Sequence, residues 1–219
     1  MSVNKFPAKK AYIFDMDGVI VDNITYHIQA LKQFLAQFGQ EVDDEYFQKH
    51  LNGRTMQEVV LGLKPDASQE EIMQLTEKKE SIYRSLYREH LKPTDGLISF
   101  LEEAKNAGIL MAVATSAITS NVEFTLDGLH LRKYFNAIVD STMVSRGKPD
   151  PEIYLKAAST LACEPQDCLV FEDALAGIES AHNAGIEVVG LATSLNFEQL
   201  PDKVILKTKD FTQLSVTNL

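Results

Sequence analysis

The stretch AYIFDMDGVIVDN (11–23) is the first guide to the fold. Its opening residues, AYIF (11–14), form a short continuous apolar run, which is typical of a strand buried on both faces of a sheet. Two aspartates and a glycine follow at once, so the chain leaves the strand on carboxylates and then turns. We therefore predict a buried strand whose carboxyl end presents Asp15 and Asp17.

Five further apolar runs recur along the chain and alternate with amphipathic helical patterns. Alternation of strands and helices over short loops predicts a parallel sheet with helices on both faces. The predicted fold class is therefore α/β, with a doubly wound, Rossmann-like parallel-sheet core. The further runs are ILMAVAT (109–115), NAIVD (136–140), CLVFE (168–172), EVVGLAT (187–193) and VIL (204–206).

Helix faces and helix ends can also be read from the sequence. The tripeptide Asn-Ala-Gly closes two helical patterns, at 106–108 and 183–185, and a predicted strand follows each. Glycine at this position provides a left-handed C-cap. Pro151 suits the first turn of the helix that follows it. Apolar residues recur at helical spacing at Ile24, Ile28, Leu31, Leu35 and Phe38, and at Leu97, Phe100, Leu101 and Ala104.

Between the first and second strands the sequence contains helical patterns and no convincing strand. An insert of this length would form a small helical domain of its own, joined to the core by two crossings. We predict a core formed by 1–22 and 94–219, and a helical domain over 23–93. Its predicted helices are DDEYFQKHL (43–51), TMQEVVLGL (55–63) and a long one over 68–91.

Composition excludes several classes of protein. The chain has 219 residues and a net charge of −10, which disfavours binding to a nucleic-acid backbone. No stretch approaches the roughly 18 apolar residues of a membrane span. The start, MSVNKFPAKK, lacks the apolar region of a signal peptide, so we expect a cytoplasmic protein without a membrane partner, a monomer by default. Cys163 and Cys168 are too few for a disulfide scaffold and lack the ligand spacing of a zinc site.

Polar residues stand at the carboxyl ends of the predicted strands, where open α/β sheets bind their ligands. Taken singly, each has a structural explanation: a turn, a helix N-cap, a favourable helix end or a surface charge. Taken together, these explanations need four coincidences at one edge, so we predict an active site there. The residues are Asp15 and Asp17, Thr115 and Ser116, Glu172 and Asp173, and Lys148 in the loop after the third strand.

Four motifs in this order resemble those of the haloacid dehalogenase superfamily, in particular its beta-phosphoglucomutase-like branch. The helical insert lies where that branch carries its cap domain. The resemblance implies an enzyme that uses Mg²⁺ to transfer a phosphoryl group from a small phosphate ester through a phospho-aspartate. The motifs are FDMDGVIVDN (14–23), ATSA (114–117), GKPDPEIY (147–154) and FEDALAGIESAHNAG (171–185).

The resemblance also assigns a metal site. It makes Asp15 the nucleophile, and it gives Mg²⁺ three ligands: the other oxygen of Asp15, Asp173 and the backbone carbonyl of Asp17. Glu172 would be a more distant or water-mediated ligand. The chemistry agrees, because two like unit charges about 4 Å apart repel by roughly 4 kcal/mol at an effective dielectric near 20. An aspartate can therefore approach a phosphate dianion only if cations offset the repulsion, and Mg²⁺ prefers oxygen ligands.

The remaining core residues are assigned to the phosphate and the proton. By resemblance, Lys148 clamps the phosphate against Asp15, while the Thr115 hydroxyl and the Ser116 amide hold phosphoryl oxygens. Asp17 would protonate the leaving oxygen and then act as general base. A second aspartate at this position favours oxygen leaving groups, hence a phosphatase or a phosphomutase.

Substrate contacts from the helical domain are expected at two places. His27 follows Asp15 by twelve positions, the spacing found in sugar-phosphomutase relatives, although a half-buried helix histidine explains it equally well. The loop HLNGRT offers Asn52, Gly53 and Arg54. Gly53 would allow close approach of the backbone, and Arg54 would grip an anion bidentately. Asn23 lies at the expected hinge.

The sequence departs from the mutase pattern at two places. Mutases place an arginine where this chain has Met56, and a Lys-Asn pair where it has Ile118 and Thr119. We therefore predict a Mg²⁺-dependent phosphatase for a small phosphorylated metabolite, with a sugar phosphate as the favoured substrate. A beta-phosphoglucomutase or related hexose phosphomutase is the alternative. A binding module without turnover is the third possibility. Lys78, Lys79, Arg84 and Arg88 of the long helix are expected to form a solvated face.

Overall fold

The computed structural model of the protein describes residues 9–51 and 54–219. The chain forms two compact units. The first, the core unit, contains the chain up to Asp22 together with Leu91–Leu219. The second, the helical unit, is Asn23–His90. The chain therefore passes from one unit to the other after Asp22 and returns after His90.

A six-stranded sheet forms the centre of the core unit, in the order β3-β2-β1-β4-β5-β6. Every neighbouring pair of strands is parallel, and helices alternate with the strands along the chain, so the predicted doubly wound α/β fold is confirmed. The strands are β1 (Ala11–Phe14), β2 (Leu110–Ala114), β3 (Ala137–Val139), β4 (Cys168–Glu172), β5 (Glu187–Leu191) and β6 (Leu206–Thr208).

The last strand lies two residues later than predicted. The sequence placed it at 204–206, whereas β6 pairs with β5 from Leu206 to Thr208. Val204 is buried at 8% exposure, so the apolar run marks contact with the core rather than the paired segment. The error arises because burial alone does not fix the register of an edge strand.

The two faces of β1 explain its continuous apolar run. Successive side chains of a strand point to opposite faces. Ala11 and Ile13 join the cluster that packs under the helices of one face. Tyr12 and Phe14 belong to an aromatic cluster on the other face, where the Phe14 and Phe171 rings stack with centroids 4.7 Å apart. Neither face meets solvent, so neither side of the strand needs polar residues.

The helices of the core unit end as the sequence predicts. Gly108 and Gly185 both have φ of 75° in the left-handed region, directly after helices that close on Asn-Ala. Pro151, predicted in the first turn of its helix, lies one residue before that turn, at the N-cap. The α-helices of this unit are α5 (Leu97–Asn106), α6 (Thr119–Gly128), α7 (Glu152–Thr160) and α8 (Leu175–Asn183).

The described part of the helical unit, 23–51 and 54–90, consists of four α-helices, a short 3₁₀ turn and no strand. Thr55 with Glu58, and Ser68 with Glu71, form capping boxes at the starts of two of the helices. Apolar side chains from all four helices form the core of the unit. The helices are α1 (Ile24–Ala36), α2 (Asp44–His50), α3 (Met56–Leu63) and α4 (Gln69–Tyr87).

Two expectations for this unit are wrong. Phe38 was placed on the buried face of the first helix, but α1 ends at Ala36 and Phe38 is 44% exposed. Lys79 was placed on a solvated face, but it is only 6% exposed. Its Nζ donates to Glu80 Oε1 at 2.9 Å, and Glu80 is also buried. Helical periodicity identifies a face, but it does not show that an ion pair can be buried within it.

Candidate active site

Lys148 connects three strand ends at the carboxyl edge of the sheet. Its Nζ donates to Asp15 Oδ1 at 2.8 Å, beyond β1, and to Glu172 Oε1 at 2.7 Å, at the end of β4. It also lies 3.3 Å from the Ala114 carbonyl oxygen at the end of β2. The side chain is only 8% exposed, so it is not the solvated surface charge that the alternative explanation supposed.

The carboxylate of Glu172 is held on both oxygens. Oε1 accepts hydrogen bonds from Lys148 Nζ and from the Tyr154 hydroxyl, at 2.7 and 2.9 Å. Oε2 accepts from the backbone N–H groups of Asp173 and Ala174. A Cβ at Gly177 would lie 1.6 Å from Oε1, so the glycine leaves the space that this carboxylate fills. Glu172 is therefore fixed between α8 and Lys148.

Asp173 is 1% exposed and is reached by the loop that follows β5. Its Oδ2 accepts a hydrogen bond from the Ser194 hydroxyl and lies 3.3 Å from Thr193 Oγ1. Thr193 Oγ1 also donates to the Gly18 carbonyl oxygen at 2.6 Å. The loop after β5 therefore joins the first and fourth motifs through two hydroxyl groups.

Oxygen atoms of Asp15, Glu172 and Asp173 all lie within 4.8 Å of one another, in a grouping that could hold a metal ion. Burial raises the pKa of Asp15 to about 7, against the opposing effect of Lys148. Burial, followed by the charges of Glu172 and Asp15, raises the pKa of Asp173 well above its usual value. Repulsion among three buried carboxylates facing one lysine would be relieved by a divalent cation, and hard cations prefer such oxygen donors. The donor set therefore fits a divalent metal.

Thr115 and Ser116 follow β2 at the same sheet edge. Thr115 is 1% exposed, and its Oγ1 accepts a hydrogen bond from the Ala117 amide at 3.1 Å. Ser116 is exposed. The explanation of these residues as caps of the next helix is wrong, because the N-cap of α6 is Ile118. Both therefore remain available to a ligand at the strand end.

Asp17 is half-buried in the turn after β1, where its backbone forms a bridge with Val21. Its charge is among the influences that raise the pKa of Asp15, which places the two carboxylates in one electrostatic environment. The tight turn depends on Gly18, whose φ is 81°. The first motif therefore presents both aspartates at the edge where Lys148 lies.

Within the helical unit, a cavity of about 320 Å³ brings together His27 on α1 and Arg54, which precedes α3. Met56 and Lys79 line the same cavity. His27 Nδ1 lies 2.9 Å from Lys79 Nζ, and its ring stacks on Tyr83 with centroids 3.7 Å apart. The cavity is therefore largely apolar with basic groups in its wall. The predicted contacts Asn52 and Gly53 lie outside the described residues.

Two polar residues considered in the sequence have clear local partners. Asn23, the expected hinge, is fully buried and donates from Nδ2 to the Tyr83 hydroxyl at 2.6 Å. Thr119, which stands where mutases carry an asparagine, donates from Oγ1 to Asp140 Oδ2 at 2.7 Å. Asp140 is 2% exposed, so Thr119 is part of the packing beyond β3.

Three residues of the site were missed by the sequence analysis: Tyr154, Thr193 and Ser194. Tyr154 lies inside the third motif, but an aromatic residue on an amphipathic helix gives no sign that its hydroxyl reaches Glu172. A signal did exist for the other two. The tripeptide Ala-Thr-Ser begins at the last residue of β2, at 114–116, and recurs directly after β5, at 192–194. Repetition at a second strand end marks the loop as part of the site.

Comparison with known proteins identifies the family. Residues 12–191 match the sequence model described as haloacid dehalogenase-like hydrolase. The chain belongs to this family. The matched range runs from the second residue of β1 to the end of β5 and includes all four motifs. The chain is accordingly an enzyme, and the possibility of a binding module without turnover is set aside.

Individual relatives place the chain in the beta-phosphoglucomutase-like branch, as the motifs predicted. It is 34% identical over 212 residues to a beta-phosphoglucomutase of Bacillus subtilis, covering 93% of this chain and 92% of that protein. It is 30% identical over 188 residues to a phosphorylated carbohydrates phosphatase of Thermotoga maritima, covering 85% and 87%. A crystal structure of a HAD hydrolase from Entamoeba histolytica matches with a TM-score of 0.88 at 29% identity, covering 95% and 96%.

Two further findings concern the class of protein. None of the helices in the described part of the chain combines the length and apolarity needed to cross a membrane. Cys163 and Cys168 are both free thiols. The relatives from Bacillus subtilis and Thermotoga maritima are named for activities on phosphorylated sugars or carbohydrates, which agrees with the chemistry of the strand-end site.

Proposed function

We propose that the protein is a Mg²⁺-dependent phosphatase that hydrolyses a small sugar phosphate through a phospho-aspartate at Asp15. The observation that carries the proposal is the contact of Lys148 with Asp15 at 2.8 Å, beside the buried carboxylates of Glu172 and Asp173. A nucleophilic carboxylate needs neighbouring positive charge to approach a phosphate dianion. Lys148 supplies part of that charge, and the acidic cluster would hold the cation that supplies the rest.

The metal site is assigned to this chain's carboxylates. Asp15, Asp173 and the Asp17 carbonyl would hold Mg²⁺, which when bound neutralises phosphate charge. Both oxygens of Glu172 already accept two hydrogen bonds each. This supports the prediction that Glu172 stands behind the ligands or contacts them through water.

The chemical steps are performed by the two aspartates of the first motif. An Asp15 oxygen attacks phosphorus while the bond from phosphorus to the leaving oxygen breaks, and Asp17 gives its proton to that oxygen. Asp17 then removes a proton from a water molecule that attacks the same phosphorus. The acyl phosphate bond breaks, inorganic phosphate leaves and the Asp15 carboxylate is restored.

The phosphoryl oxygens are assigned to Lys148, the Thr115 hydroxyl and the Ser116 amide. These groups lie at the carboxyl ends of β2 and β4 or contact residues there. We assign the leaving group to the predicted cap over 23–93, which contains the helical unit, with His27, Asn52, Gly53 and Arg54 as its contacts. The shared cavity of His27 and Arg54 supports this assignment. The net charge of −10 supports an enzyme without a nucleic-acid partner. We also propose a cytoplasmic location without a membrane partner, as the sequence analysis predicts.

A phosphomutase is the second candidate, favoured by the 34% identity to the beta-phosphoglucomutase of Bacillus subtilis. A mutase must hold two phosphates at once, which requires additional anion-binding groups. At the two positions where mutases carry such groups, this chain has Met56, which lines a largely apolar cavity, and Thr119, whose hydroxyl donates a hydrogen bond to Asp140. We therefore rank the hydrolase first.

Two assays test these candidates. Activity on a generic aryl phosphate should require Mg²⁺ and disappear with a chelator, and activity that persists without divalent metal would contradict the proposal. Incubation with beta-glucose 1-phosphate then separates hydrolase from mutase. Free phosphate supports the phosphatase, whereas glucose 6-phosphate shows a mutase. Phosphate release across sugar phosphates, nucleotides and pyrophosphate would identify the substrate class.

A further inference from the structure

The loop that follows β5 brings two hydroxyl groups to the candidate metal site without contributing a carboxylate to it. Thr193 Oγ1 lies 2.6 Å from the Gly18 carbonyl oxygen and 3.3 Å from Asp173 Oδ2. Ser194 Oγ donates a hydrogen bond to the same Asp173 oxygen. None of the four motifs includes this loop, so motif matching alone assigns it no role.

The two hydroxyl protons have different acceptors. A hydroxyl has one proton to donate. The shorter contact gives the Thr193 proton to the Gly18 carbonyl, which belongs to the turn that carries Asp17. The Ser194 proton is then the one that Asp173 Oδ2 receives. One hydroxyl therefore holds the turn of the first motif, and the other holds the carboxylate of the fourth.

Asp173 Oδ2 is also enclosed by the backbone of Gly18. A Cβ at position 18 would lie 1.9 Å from Oδ2, so only glycine permits this approach. With Gly18 on one side and Ser194 on another, Oδ2 faces the protein. The remaining oxygen, Oδ1, is then the one left for a cation.

We propose that Thr193 and Ser194 are positioning residues for the metal site, which fix Asp173 so that it presents a single oxygen. The inference rests on the proposed function, because it takes Asp173 to be a metal ligand. Neighbours that orient a ligating carboxylate typically change metal affinity by 10–100-fold when they are removed. The two residues act on the metal ligand and not on phosphorus. Their loss should therefore weaken Mg²⁺ binding strongly and change kcat at saturating Mg²⁺ only slightly.

The test is the dissociation constant of the purified full chain for Mg²⁺ alone, measured by titration calorimetry. Ser194→Ala should raise this constant by about 10-fold or more. Ser194→Thr keeps the hydroxyl and should retain most of the native Mg²⁺ affinity. In the assay, half-maximal activity should shift to a higher Mg²⁺ concentration while kcat at saturating Mg²⁺ stays within a few-fold. Ser194 is an exposed loop residue, so the alanine variant keeps the core intact.

Thr193 offers a second variant and a matched control. Thr193→Val should also weaken Mg²⁺ binding, and Thr193→Ser should retain it. Thr208→Val is the control, because Thr208 also ends a strand but its hydroxyl bonds the Asp210 carbonyl instead. If Ser194→Ala and Thr193→Val both bind Mg²⁺ as tightly as the native chain, the inference is wrong. Asp173→Asn distinguishes an error in this inference from an error in the proposed function. Unchanged Mg²⁺ binding in that variant would show that Asp173 is not a metal ligand, which contradicts the proposed metal site itself.

Discussion

Each unit of the molecule contains a buried lysine, and the two lysines differ in the charges around them. Lys148 in the core unit contacts Asp15 and Glu172, and the Asp173 carboxylate belongs to the same cluster. Lys79 in the helical unit pairs with Glu80 at 2.9 Å and lies beside the His27 ring. The first site has three carboxylates for one lysine, whereas the pair in the second is balanced.

This difference separates a candidate catalytic site from a structural ion pair. A balanced buried pair satisfies its own charges, and replacing both partners by neutral residues is often tolerated. A buried surplus of negative charge is not satisfied within the protein, so it raises carboxyl pKa values, as at Asp15 and Asp173. Such a surplus favours the binding of a further positive charge, and a divalent cation fits this donor set.

The largest expected effect comes from the nucleophile. Asp15→Asn removes the attacking oxygen but keeps the shape of the side chain, so activity should fall by at least about 10⁴-fold. The circular dichroism spectrum should remain that of the native fold. Asp167→Asn is the control, because its carboxylate makes an exposed pair with Lys10. An Asp15→Asn enzyme that turns over at the native rate would remove Asp15 from the chemistry.

Lys148→Met should lower kcat by about 100- to 1000-fold, because the ammonium that stabilises the transferring phosphoryl group is lost. Steady-state kinetics at saturating Mg²⁺ measures the change. Lys10→Met, at an exposed lysine, should leave kcat unchanged. A Lys148→Met enzyme with native kcat would show that this lysine is structural, like Lys79. The proposed difference between the two lysines would then be wrong.

Lys79→Met should act on stability instead. It removes the ammonium that donates to the buried Glu80 carboxylate, which is expected to lower the free energy of unfolding by about 3 kcal/mol. Urea unfolding measures this loss. The double variant Lys79→Met with Glu80→Gln should recover most of this loss, because the carboxylate that lost its lysine partner is then neutral as well. Failure of the double variant to recover stability would mean that the pair is not a balanced structural one.

The smallest effect is expected at Arg54, which is exposed at the wall of the cavity in the helical unit. Arg54→Ala should raise KM for a sugar phosphate by about tenfold with little change in kcat, since a contact to the leaving group is equally strong before and during reaction. Arg132→Ala, at an exposed pair with Asp127 in the core unit, is the control. An unchanged KM would exclude Arg54 from the substrate contacts.

Most of the fold could be predicted from the sequence, because its strands are buried on both faces. Runs such as AYIF and CLVFE are therefore apolar at nearly every residue. This distinguishes them from half-exposed strands, in which apolar and polar residues alternate. The exception is β6, an edge strand whose three residues are all partly exposed. In the helical unit, periodicity found the helices, but it placed Phe38 inside and Lys79 outside, since neither a helix end nor a buried ion pair follows from spacing.

For the site, the sequence supplied the carboxylates and the lysine but not the groups that orient them. Asp15, Glu172 and Lys148 were found because parallel strands deliver their carboxyl ends to one edge. Tyr154, Thr193 and Ser194 were missed because their roles depend on which side chain each hydroxyl reaches. The catalytic, metal-binding and substrate-binding roles assigned to all of these residues stay predictions.

The sequence by itself determined that the protein is a doubly wound α/β enzyme with a helical insert and acidic residues at its strand ends. These features depend on local pattern and chain order, which are written in the amino acids directly. Only the tertiary structure showed that Lys148 joins Asp15 to Glu172, and that a loop after β5 returns to Asp173. Such contacts join residues distant in the chain, so they exist only once packing has fixed the distances between strands.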